Sequence, residues 1–253
     1  MSREMTRTAR NLCLLQLPAN ALLLWLAYEW LSMGESTLAR LLGSAAAALS
    51  ILALACWLHG ATFASFRRGA EPGVVAAFRT ALRNLPPLLL MALAALALYG
   101  FLAWWAGYSA TPAAKLASWL TFHFRKPVKP STILGCFDAV LWMVRWVLLP
   151  ADLLPLFSGV ASRGWRGFDE FGWRRYSRLY RLEVPLLTLC ALWLPFRLLN
   201  WVIRAGSFRL ELLSFALRIG IAYLLFVAAA VLLAFLTSRG KPAASQLNTV
   251  ASP

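Results

Sequence analysis

The sequence predicts an all-α fold: a polytopic integral membrane helical bundle of about six transmembrane helices, with amphipathic helices lying at the cytoplasmic interface. Three observations carry this. Of the 253 residues 60% are apolar and 14% are charged, with a mean hydropathy of +0.66. A soluble domain carries about 25% charged and roughly 45–50% apolar residues. Six apolar runs are long enough to cross a bilayer, which takes about 20 helical residues. Finally, 25 basic residues stand against 10 acidic ones, and they flank the apolar runs instead of clustering on one soluble face. That arrangement fits the positive-inside rule and argues against nucleic acid as a partner.

The spans are expected at 12–32, 41–64, 85–107, 132–157, 184–204 and 212–236, forming one six-span domain over 1–237. The polar tail, 238–253, is expected to be disordered. Arg3, Arg7 and Arg10 precede the first run, and Ala19-Asn20-Ala21 looks like a cleavage site. The stretch before that site is too short for a signal peptide, and the apolar run continues to Leu31, so an uncleaved first span is expected. The second span holds Gly43, Ser44, Ala45 to Ala48, Ser50, Ala53 and Ala55. Small residues let helix backbones approach closely, which suits the centre of a bundle. Leu85-Pro86-Pro87 opens the third span and Val184-Pro185 the fifth, and proline fits a first helical turn. Pro150 and Pro155 are expected to kink the fourth. Trp30, Trp104, Trp105 and Trp201 fall near span ends, where amphipathic rings suit the headgroup level. Trp142 and Trp146 lie deeper and are expected to pack between helices. Cys13, Cys56, Cys136 and Cys190 each stand alone, without a metal-ligand or disulfide spacing, and read as small buried hydrophobes.

With six spans, the connections on the side of the termini hold 15 basic residues and those on the other side hold seven. Both termini are therefore expected in the cytoplasm. High arginine, alanine and leucine content fits a bacterial host and its inner (cytoplasmic) membrane. Two hairpins on that side resemble each other as a weak internal repeat: an inward span, a basic amphipathic stretch and a proline-led return. The first stretch sets Val74, Val75, Phe78 and Leu82 against Arg79 and Arg83. The second sets Phe168, Phe171, Leu179 and Leu182 against Arg174, Arg178 and Arg181, with Arg175 beside them. Such helices lie in the interface and attract anionic headgroups. Residues 113–124 read as a similar short helix on the opposite side.

Charges inside spans are costly and mark pairing or function. In the fourth span Asp138, Arg145 and Asp152 are spaced by seven, which places them on one face of a straight helix. Depth counting puts Arg197 and Arg218 level with Asp138, with Glu29 and Asn200 slightly above. His59 and Asp152 sit at matching depth near the inner side. This polar cluster has two readings: ion pairs that hold helices in register, or an anion-attracting site. No catalytic motif, metal-ligand spacing or cofactor fingerprint is present, so neither an enzyme nor a cofactor is expected. The function expected is that of a non-catalytic membrane subunit that packs in a larger complex, or as a homo-oligomer, or organises lipid. The alternative is a small transporter or channel component with its site among the fourth, fifth and sixth spans.

Overall fold

The computed structural model describes residues 3–34, 36–67, 73–170, 178–201 and 207–239. The fold is an all-α bundle, with no strand among the described residues and six helices long and apolar enough to cross a membrane. In chain order the α-helices are α1 (Arg3–Leu31), α2 (Leu38–Arg67), α3 (Val74–Arg83), α4 (Leu85–Tyr108), α5 (Ala110–Phe124), α6 (Pro130–Met143), α7 (Leu149–Arg163), α8 (Arg178–Thr188), α9 (Leu194–Asn200) and α10 (Phe208–Arg239). A π-helical turn, π1 (Val144–Leu148), joins α6 to α7, and another, π2 (Leu189–Trp193), joins α8 to α9. A 3-10 segment, Gly164–Glu170, follows α7. Each of the six apolar runs falls on one of these long helical segments, although α1 begins nine residues before the first run and the fourth segment continues past residue 157 to Arg163. The tail expected to be disordered lies, beyond Arg239, outside the described residues.

Five elements form a ring in which each packs against the next: α2, α4, α7, α8 with π2, and α10. Helix α1 packs outside the ring on α2 and α10. The second span is central, as its small residues predict, but the residues that make it so lie further along. Gly43, Ala45 and Ala46 are exposed, whereas Gly60, Ala61 and Ala64 are buried. A Cβ on Gly60 would stand 2.9 Å from Leu88 Cδ1, so the α2–α4 contact requires glycine there.

The two ends of the bundle differ. At the end that carries α3 and the 3-10 segment, Leu12, Phe63, Phe66, Leu88, Val160 and Phe235 make one packed core. Asn84 leads into α4 and donates its amide to the Ala161 carbonyl at 3.0 Å, satisfying an orphan acceptor of the last turn of α7. Gly164 then turns the chain at φ +63°, with Asn84 Oδ1 filling the place a Cβ would take. Gly167 lies directly on the backbone of Gly159 and Val160. We call this the closed end. At the other end α1, α4 and α9 finish and α2, α6 and α10 begin, and α6 buries no residue at all. Leu96, Phe101 and Trp104 of α4 are exposed there, as are Phe208, Leu212 and Phe215 of α10. This is the open end.

The expected proline kink in the fourth span takes the form of a π turn. In π1 the Arg145 carbonyl points towards residue 150, five residues on, and Pro150 has no N–H to give it. The Tyr99 hydroxyl of α4 donates to that carbonyl instead, at 3.0 Å. A second π turn, π2, precedes Pro195 in the same way. The internal repeat is only partial. Pro86 and Pro87 open α4, but Pro185 lies inside α8, and the basic stretch of the second hairpin includes residues 171–177, outside the described residues.

Candidate functional site

Three polar features lie within the spans. The first joins α1 to α2. Gln16, Asn20 and Thr62 are buried. The Gln16 amide donates to Thr62 Oγ1 at 2.5 Å, and Asn20 donates to Gln16 Oε1 at 2.5 Å and to its carbonyl at 2.9 Å. Tyr223 of α10 donates its hydroxyl to the Leu17 carbonyl, tying a third helix to the same place. Nearer the open end, the Trp30 indole donates to the Ser44 carbonyl and hydroxyl at 3.0 and 2.9 Å. Uncharged amides escape a search for ionisable residues. Their i, i+4 spacing in an apolar run was the available signal, since buried amides in membrane helices bond across helices.

The second feature is the set of charges read from the sequence, which the fold largely separates. Glu29, Asp138, Arg197 and Asn200 are exposed on the surface of the chain, while Arg145 and Arg218 are half-buried. Among the described residues no ion pair joins Asp138 to Arg145, Arg197 or Arg218. Arg218 instead donates to the Leu198 carbonyl at 3.4 Å and to the Trp201 carbonyl, capping the end of α9. Its Nε also returns to the Ser214 carbonyl at 3.2 Å. Arg197 lies over the Trp193 ring one turn back, 5.9 Å from its centroid. Asp152 leaves the face shared by Asp138 and Arg145, because π1 inserts an extra residue between Arg145 and Asp152. One residue rotates the helical register by about 100°. Trp142 and Trp146 meet Trp193 and Phe196 across the helix pair, as expected of packing residues.

The third feature is a cavity of about 290 Å³ inside the ring, between the closed-end core and the splayed half. Phe63, Met91, Phe157 and Leu233 make its floor, and Tyr99, Pro150, Leu192 and Phe226 lie towards the open end. Its wall is almost wholly apolar and holds no charged side chain. His59 lines it, edge-on to Phe226 with centroids 6.0 Å apart. Asp152 is not in the wall, so the cavity does not unite it with His59. Thr188, 1% exposed, also lines the wall, and its hydroxyl has no hydrogen-bond partner among the described residues.

Outside the spans, α3 is amphipathic. It buries Ala77 and Ala81 towards α2, held by the Trp57 indole donating to the Phe78 carbonyl at 2.8 Å. Its other side exposes Arg79 and Arg83 beside Val75 and Leu82. Arg178 and Arg181 fall in the first turn of α8, while Arg174 and Arg175 lie outside the described residues. The short helix read at 113–124 is α5, which packs along α6 and buries Ala113 and Ala117. It exposes Trp119, Phe122 and Phe124. Cys56 is buried as expected, whereas Cys136 and Cys190 are exposed.

No family model matches the chain, and neither a curated protein nor a solved structure matches it.

Proposed function

We propose that the chain is a non-catalytic subunit of a bacterial cytoplasmic-membrane complex, with its termini and closed end inside and its open end docked on a further transmembrane protein. The positive-inside count supports the orientation. One observation carries the docking. Helices α6 and α7 run as one rod from Pro130 to Arg163 through π1, about 51 Å at 1.5 Å per residue. A hydrocarbon core is about 30 Å thick, and a tilt of about 40° still leaves the rod too long. We place the excess at the open end, where α6 is joined to α5 as a hairpin. It presents Trp119, Phe122 and Phe124, the second of these 87% exposed, beside Lys115, Arg125 and Lys126. Exposed aromatic patches with a charged rim are the usual anchors of protein interfaces. At the closed end, Arg79 and Arg83 of α3 support association with anionic headgroups.

The transport reading has less support. The cavity wall contains none of Arg145, Arg197 and Arg218, and Arg218 is occupied with backbone carbonyls.

Purification from native membranes in mild detergent tests the proposal. The wild type should elute with a stoichiometric partner, either another protein or a second copy. Phe122→Ser with Trp119→Ser should release that partner and leave the melting temperature of the chain unchanged. A wild-type chain that elutes alone would refute the docking.

A further inference from the structure

The central cavity has features that the docking surface does not explain, and the inference here stands independently of it. Hydroxyl side chains inside a membrane helix ordinarily return their proton to the carbonyl four residues back. Thr62, Ser65 and Thr237 all do so, at 2.6–3.1 Å. Thr188 does not, although it is as deeply buried as any of them. It sits immediately before π2, in the cavity wall. His59 stands in the same wall, and no hydrogen bond to its ring is present among the described residues. A buried polar group without a partner is rare and expensive, so Thr188, in one apolar wall with the half-buried His59, calls for a ligand that satisfies it.

The volume fits a small ligand. About 290 Å³ is near the lower end of ligand pockets, at roughly 300 Å³, and about twice the cavity of about 150 Å³ that admits benzene. The absence of charge from the wall excludes a phosphate or carboxylate head. The floor is closed by packed core residues, and the splayed helices above give access from the membrane. We propose that this cavity binds a neutral lipid-like molecule with a hydrocarbon body and a carbonyl or hydroxyl oxygen, held by Thr188 and His59.

Native mass spectrometry of the full chain in nanodiscs tests this with three probes: farnesol, a decyl-substituted benzoquinone, and farnesane, a saturated hydrocarbon with the farnesol skeleton. One equivalent of farnesol or of the quinone should bind at least tenfold more tightly than farnesane. Binding by just one of the two supports the site and names the head group. Thr188→Val should weaken binding about five- to tenfold, the worth of one hydrogen bond, and Thr188→Ser should retain it. Ala230→Leu, which fills the cavity, should abolish it and keeps the test decisive if the valine variant folds poorly. Equal binding of farnesane, or binding unchanged in Ala230→Leu, would overturn the proposal, as would no binding by either oxygen-bearing probe.

Discussion

The closed and open ends of the bundle are built from equally apolar helices, yet only one of them packs. At the closed end α2 threads between α4, α7 and α10, and polar side chains tie the helices together: Asn84 on the Ala161 carbonyl, Gln16 on the Thr62 hydroxyl. At the open end the same helices diverge and expose leucine and phenylalanine on most sides. Hydrophobicity alone gives no drive for helix association within a lipid. What distinguishes the ends is small residues at crossing points, which the closed end buries, whereas hydrogen bonds between helices occur towards both ends. The glycines show this directly. A Cβ at Gly60, Gly164 or Gly167 would meet an atom within 3.0 Å, while at Gly43, Gly100, Gly107, Gly135 and Gly220 it would meet nothing within 4 Å.

Substitutions that treat the two ends alike should therefore have unequal effects. The largest is expected for Gly167→Ala, whose Cβ would lie 2.3 Å from Gly159 and Val160 backbone atoms that cannot rotate away. It should destabilise the fold by about 3 kcal/mol or more, read as thermal unfolding in detergent. Next comes Gln16→Leu, which removes one of the two acceptors of the buried Asn20 amide and the donor to Thr62, and should cost about 1–3 kcal/mol. A loss under a few tenths in the same melt would mean that the α1–α2 network does not hold the closed end. Arg79→Gln with Arg83→Gln should leave unfolding unchanged and reduce retention of anionic lipid, by about 1 kcal/mol per residue. Lipid counts on the purified chain check that. The smallest effect is expected for Gly100→Ala, within about 0.5 kcal/mol of wild type. A melt as damaged as that of Gly167→Ala would erase the distinction between the ends.

Most of the fold was legible in the sequence. Apolar runs set the six long helices, and Pro86 and Pro87 marked where α4 begins. Small residues identified α2 as central, but the first cluster met along it, Gly43 to Ala48, proved to lie in the open half. Composition gives a helix's capacity for close packing, and only tertiary structure says which stretch uses it. The candidate site was less legible. Depth counting placed Asp138 level with Arg218 but carried no rotational information. The two π turns then changed the rotation through backbone geometry that residue spacing cannot reveal. Thr188 looked like any threonine in an apolar run, and its hydroxyl matters only because it does not bond to its own helix.

The central claim is that the open end is a docking surface and the closed end is complete in itself. Photo-crosslinking in native membranes tests this most directly, with a benzophenone amino acid placed at Phe122 in one variant and at Phe63 in another. Position 122 lies on the exposed hairpin and position 63 in the closed core. The account predicts a discrete protein adduct from position 122 and no adduct to another protein from position 63. Lipid adducts alone at position 122 would contradict it.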